Sequence, residues 1–150
     1  MPLLIVLALT STETFAQLKK YRFEDLDSLQ KAEKRTVIVF IHTNWCKYCQ
    51  TMKNTTFKNK DLIEQINKQF YFIDFNAEET KDIAFKNAIF KYVPSGANTG
   101  THQLAEELGT TDSSISYPTL CFLNSDNKIV FQYAQFINSK DLQVALNLLK

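Results

Sequence analysis

Apolar positions along the chain follow first a helical and then an extended period, and the two alternate. In "RFEDLDSLQKAEKR", residues 22–35, Leu26, Leu29 and Ala32 recur at helical spacing with acids near the start, which predicts a helix. "TVIVFIHT", residues 36–43, is a continuous β-branched and apolar run. Such a run is a strand buried on both faces, as at the centre of a sheet covered by helices. It leads directly into "NWCKYC", and "CQTMKNTTF", residues 49–57, can continue as a helix. "NKDLIEQINKQF" repeats Leu62, Ile63, Ile66 and Phe70 at helical spacing behind a cap at Asn59 or Asp61. "FYFIDFNAE", residues 70–78, is a second strong strand. Helix, strand, helix and strand in this order make a βαβ unit.

From Asp82 the pattern changes. "IAFKNAIFKYV" holds two alternating runs around Lys86, Asn87 and Ala88, which predicts a β-hairpin with a tight turn. "PSGANTG" contains most of the chain's glycine and reads as a loop. "THQLAEELG" predicts a short helix with Gly109 as its C-cap. "YPTLCFLNSDNKIVFQYAQF" gives two strands around a turn at Ser125 to Asn127, and "SKDLQVALNLLK" an amphipathic C-terminal helix capped by Ser139. The expectation is one α/β domain over residues 17–150, with an insertion at about 82–110.

The first residues differ from the rest. Leu3 to Leu9, "LLIVLAL", is too short to span a bilayer, and Thr14 and Ala16 are spaced like the small residues before a secretory cleavage site. No Lys or Arg precedes the run. Residues 1–16 are therefore expected to be a signal peptide, with a buried N-terminal strand as the competing reading. Export would place the mature chain where disulfides persist. No membrane span is expected in it.

Composition narrows the picture further. A hydrophobic fraction of 45% with 13% aromatics marks a packed globular chain rather than a disordered one. The net charge of +1 comes from 17 basic and 16 acidic residues dispersed along the sequence, so no basic block suggests nucleic-acid binding. Cys46, Cys49 and Cys121 cannot all pair with one another. One close pair with one stray is the pattern of a working dithiol plus a core cysteine. Cys121, in "TLCFL", is the core candidate.

Cys46 and Cys49 sit where the buried strand hands over to a helix. The unpaired N–H groups and the positive dipole end of a helix N-terminus favour an anion, and a thiolate is one. A cysteine there has its pKa lowered from ~8.5 by one unit or more and becomes a nucleophile near neutral pH. Such a junction is an exposed place. The second cysteine, one turn along and facing inward, can resolve a mixed disulfide faster than bulk thiols because its attack is intramolecular. Two alternatives stay open. A structural zinc needs four ligands, and only Cys121, His42 and His102 remain as candidates. Plain core cysteines are the other. A c-type haem would require His, not Gln50, after the second cysteine. "YPT" at Tyr117 to Thr119 precedes a buried strand, where a proline suits the strand start in either cis or trans form.

Together, "WCKYC" after the strand "VIVFI" and "YPT" about seventy residues later resemble the thioredoxin superfamily over residues 20–150, apart from the insertion. The wording Cys49, Met52, Thr56, Phe57 is most similar to that of exported thioredoxin-like proteins of Gram-negative bacteria. The resemblance implies a thioredoxin fold, a central mixed sheet flanked by helices, in a periplasmic thiol–disulfide oxidoreductase with no bound cofactor. It implies Cys46 as nucleophile and Cys49 as resolving thiol. It further implies Pro118 as a cis-proline beside the pair, Tyr117 and Thr119 at the substrate strand, and Trp45 lining the binding surface. The partners would be protein or peptide disulfides and a second dithiol protein. The reading from another class is a metal-binding or partner-binding module on the same fold.

Two positions depart from the family pattern. Many thioredoxins carry a buried acid six residues before the first cysteine, and here that residue is Phe40. His42 is a candidate to share the acid's role, against a purely structural histidine. The lack of an acid removes one source of repulsion on the thiolate. Lys47 and Tyr48 between the cysteines are neither Gly-Pro nor Pro-His. Lys47 adds positive charge that favours the reduced form, so these two residues are candidates for redox tuning. Phe90, Tyr92 and His102 in the insertion either widen the substrate surface or close a small hairpin core.

Overall fold

A computed structural model describes residues 16–150, so the expected signal peptide lies almost wholly outside the described residues. A 3₁₀ turn at Phe23–Asp25 leads into α1 (Leu26–Ala32), followed by β1 (Thr36–His42) and α2 (Lys47–Asn54). A second 3₁₀ turn, Thr56–Lys58, precedes α3 (Lys60–Gln69) and β2 (Phe70–Asn76). Then come β3 (Ile83–Phe85), β4 (Ala88–Phe90), β5 (Tyr92–Pro94) and β6 (Gly100–His102), before α4 (Gln103–Gly109). The chain ends with β7 (Thr110–Thr111), β8 (Ser114–Ile115), β9 (Thr119–Leu123), β10 (Ile129–Tyr133) and α5 (Ser139–Leu148).

The four-stranded sheet has the order β10-β9-β1-β2, with β1 parallel to β2 and antiparallel to β9. This mixed sheet with helices on both faces is the expected class. β1 is central and its residues 37–42 are all buried. Alternation along it builds two cores. Val37, Val39 and Ile41 pack with Phe23, Leu26 and the α4 residues Leu104 and Leu108. Ile38 and Phe40 pack under Cys49 and Met52 of α2, Leu62 and Ile66 of α3, and Leu142 and Leu146 of α5. Each such buried aliphatic side chain contributes about 1.5–3 kcal/mol of transfer free energy. Cys121 falls in the first cluster and Leu120 and Phe122 in the second, as alternation required. Burial pushes the Cys121 thiol up to about 12, so it keeps its proton and packs as a small hydrophobe.

Local chemistry moves several boundaries. The first helix stops at Ala32 rather than Arg35 because the Gln30 amide brackets Arg35, donating to its carbonyl and accepting from its N–H. Asn59 caps α3, its side chain accepting from Leu62 N–H. Asn138, not Ser139, caps α5 by accepting from Asp141 N–H. The β3–β4 turn consists of Lys86 and Asn87 alone, both at positive φ, and Ala88 opens β4. "PSGANTG" is not all loop, since Pro94 and Gly100 pair as the ends of a second hairpin, β5–β6. Gly109 is not a left-handed cap: no glycine has positive φ, and Thr110 follows as an extended cap. It is glycine because a Cβ would come within 2.9 Å of Ile115 Cδ1 and 3.1 Å of Ile41 Cδ1.

Segment 82–110 thus comprises two hairpins and α4. His102 is fully buried there, with Nδ1 accepting from Leu104 N–H to cap α4 and Nε2 3.1 Å from the Lys81 carbonyl. Burial lowers its pKa. It is a structural residue, and Phe90 packs against the first core.

Candidate active site

β1 ends at His42, and four residues later Cys46 stands at the N-cap of α2 with extended backbone, φ −75° and ψ 108°. Its carbonyl accepts from Gln50 N–H at 3.1 Å, which starts the helix. Its Sγ accepts from Cys49 N–H at 3.1 Å, taking the place that Ser or Asp oxygen usually occupies at a cap. α2 then turns Cys49 and Met52 inward, both fully buried, and leaves Lys47 and Tyr48 outside.

A disulfide joins Cys46 and Cys49, with Cα atoms 5.2 Å apart. One helical turn therefore accommodates the bond. The expectation of an open nucleophile needs correction. Cys46 is only 6% exposed against 0% for Cys49, because the cap position tucks the sulfur against the second core. The first cysteine is still the more accessible of the two. Around it the surface is aromatic: Trp45 is 66% and Tyr48 67% exposed. Trp45 packs edge-on against Tyr117 with centroids 5.8 Å apart, and its Nε1–H donates to Glu78 Oε1 at 2.9 Å. The Tyr48 ring lies 6.3 Å from that of Phe136.

The Tyr117–Pro118 peptide bond is cis. Tyr117 packs against both cores, and burial, with Glu106 nearby, raises its pKa. Thr119 is fully buried at the start of β9, opposite Ile41, and its hydroxyl donates to the Ser116 carbonyl at 2.8 Å. Trp45 and Tyr117 are thus brought together in direct contact, whereas the Thr119 side chain is engaged within its own turn.

Sequence reasoning missed Asp74. The parallel register sets it beside Phe40, so an acid does lie under this face of the sheet, supplied by β2 instead of β1. The available signal was one charge in the middle of "FYFIDFN", a strand otherwise rich in apolar residues. Lys20 Nζ lies 2.5 Å from Asp74 Oδ2, while His42 Nε2 is 2.6 Å and Lys53 Nζ 3.6 Å from Oδ1. Burial alone would raise the carboxyl pKa. The close His42 imidazole, the hydrogen bond from Lys20 and the Lys53 charge outweigh it and hold the group well below its ordinary 3.8.

The thioredoxin-like domain family matches residues 22–150, and the chain belongs to it. Among solved structures, an oxidoreductase named DsbH is similar at 14% identity and a TM-score of 0.63, covering 97% of this chain and 94% of the other. A thioredoxin from Thermus thermophilus is similar at 18% identity and 0.62, covering 89% and 87%. A thioredoxin-fold protein from Helicobacter pylori is similar at 19% and 0.59, covering 89% and 74%. At these identities the likeness establishes the fold. No curated protein matches the sequence. The family, with Cys46 and Cys49 joined as a disulfide at the helix start, supports thiol–disulfide oxidoreductase chemistry.

The depressed Asp74 pKa fixes a sign for acid stability. Its pairing stabilises the fold above the ordinary carboxylate value, and the contribution is lost as pH falls below that value toward the folded one. Asp74→Asn is expected to cost about 1–3 kcal/mol at neutral pH, with the difference from wild type shrinking at about pH 2–3. Urea unfolding at both pH values checks this. An equal difference at both would contradict it.

Proposed function

We propose that this protein is an enzyme that exchanges disulfides with protein or peptide substrates through Cys46 and Cys49. The observation that carries the reading is the capped sulfur: Cys46 Sγ accepts a backbone N–H at the start of α2 while bonded to its neighbour one turn on. The structure corresponds to the oxidised end of the cycle. In the reduced protein the same N–H and the helix dipole stabilise a Cys46 thiolate.

The thiolate attacks one sulfur of a substrate disulfide, forming the Cys46–substrate bond and releasing the other sulfur as a thiolate. Cys49 loses its proton and attacks Cys46 Sγ. The Cys46–Cys49 bond forms and the second substrate sulfur leaves. Two electrons have passed from the dithiol to the substrate, and a partner dithiol protein returns them by the reverse exchange. With the partner poised the other way, the cycle oxidises. Trp45 and Tyr117 offer an aromatic wall to an extended segment, Pro118 is the candidate residue to border the pair, and the Tyr117–Thr119 backbone is the candidate strand for it. The exposed Lys47 favours the reduced form.

The apolar stretch at Leu3 to Leu9 ahead of Thr14 and Ala16 supports export to an oxidising compartment. No helix among the described residues is long and apolar enough to cross a membrane. The mass of the secreted chain tests this part, with cleavage after Ala16 expected and an intact N-terminus contradicting it.

For the reaction, insulin reduction with a small thiol is expected to be catalysed, and Cys46→Ser to lower the rate on the order of a thousandfold or more. Stoichiometric co-purified metal that is lost on the same substitution, without turnover, would instead favour a metal-binding module.

A further inference from the structure

A cavity of about 620 Å³ opens between the segment before α1, the edge strand β2 and the α2–α3 connection, and none of Trp45, Cys46, Tyr48 or Tyr117 lines it. Its volume falls in the ~300–1,000 Å³ range of small-molecule sites. The floor is apolar and fixed. Phe57 packs edge-on against Phe40 and Phe72, with centroids 4.8 Å and 5.0 Å apart, and Ile63 of α3 lines the same cavity. All four side chains are buried.

One wall is the stretch from Gln17 to Lys20, and it is pinned to the fold. Asn67 of α3 accepts from Lys19 N–H and donates to the Gln17 carbonyl, each at 2.8 Å. Tyr21 N–H donates to the Phe72 carbonyl at 2.9 Å, and Leu18 packs on the second core. The cavity is therefore shaped before any ligand arrives, which lowers the cost of binding.

Charge at the cavity is one-sided. Lys20, Lys53, Lys58 and Lys60 line it against a single carboxylate, Asp74. The chain as a whole is nearly balanced, with 17 basic and 16 acidic residues, so this excess is local. Asp74 is already matched: Lys20 Nζ lies 2.5 Å from Oδ2, and His42 Nε2 and Lys53 Nζ lie 2.6 Å and 3.6 Å from Oδ1. Lys58 is exposed, and no acid pairs with it among the described residues. Lysine stems are themselves apolar, so these side chains extend the floor with methylene groups and place charge where the floor meets water.

We propose that this cavity binds a small amphipathic anion, one acidic head on an apolar chain. The chain lies on Phe57 and Ile63, and the head meets the ammonium groups of Lys58 and Lys60 at the rim. An inorganic anion leaves the phenylalanine floor unused, and a neutral apolar molecule gains nothing from the lysines. Charge-assisted hydrogen bonds and burial of the chain combine only in a molecule that carries both parts. The ligand is a free molecule and not a bilayer surface, because the floor is recessed below exposed lysines. The site stands apart from the disulfide chemistry and from its residues.

The probe is octanoate, titrated into the full chain by isothermal titration calorimetry, with acetate and 1-octanol as head and tail alone. One saturable site is expected, at least about tenfold tighter for octanoate than for either control. Lys58→Glu is expected to weaken octanoate about tenfold and to leave thermal unfolding unchanged. In isotopically labelled wild type, where folding is not in question, octanoate is expected to shift the amide resonances of Lys53, Phe57, Lys58 and Ile63. Equal binding of acetate or 1-octanol overturns the proposal, as does the absence of a saturable site at millimolar octanoate. Unchanged affinity in folded Lys58→Glu overturns it, and so do shifts confined to the groove at Phe131 and Phe136. Sedimentation with phosphatidylglycerol vesicles, without octanoate binding, would assign the lysines to a membrane surface and overturn it as well.

Discussion

Everything at this site depends on one hydrogen bond, from the backbone N–H of Cys49 to the sulfur of Cys46. A helix start leaves N–H groups without partners, and an oxygen from Ser, Asp or Asn usually satisfies one of them. Here a sulfur does so. The cap that stabilises α2 is therefore also the reactive atom, and chemistry and fold draw on the same donor. When the disulfide opens, negative charge develops at a position where the backbone already points a donor at it.

That placement follows from the strand before it. β1 is enclosed on both faces, by α1 and α4 on one side and by α2, α3 and α5 on the other, so its end is fixed in space. Thr43 to Trp45 carry the chain from the fixed strand to the cap within a few residues, with Thr43 fully buried. The disulfide rests on the second core, while Trp45 and Tyr48 project into solvent at either side of Cys46.

The elements that carry the site were legible because each has its own local signal. "TVIVFI" has no polar position over six residues except its first, and "DLIEQI" shows one apolar stripe, so β1 and α3 could be assigned from period alone. Cap identity was harder where two candidates adjoin: Asn138 and Ser139 can both serve, and backbone geometry selects the first. The second hairpin was hidden because Gly100 is required by the nearby Tyr92 ring, a long-range contact that reads locally as loop glycine. Gly109 was misread for the same reason, its lack of a side chain answering Ile115 and Ile41 rather than a turn. Asp74 could not be located from sequence at all, since its meaning comes from the register that sets β2 beside β1. The burial of Cys46 likewise belongs to tertiary packing.

The most direct measurement is the pH dependence of iodoacetamide alkylation at Cys46 in reduced Cys49→Ser protein, which retains the backbone donor and removes the competing thiol. A thiolate held by the start of α2 titrates at least about one unit below the ~8.5 of a free cysteine and is substantially ionised at pH 7. A midpoint at or above the free value would mean that burial outweighs the helix start, and the cap would then be structural alone.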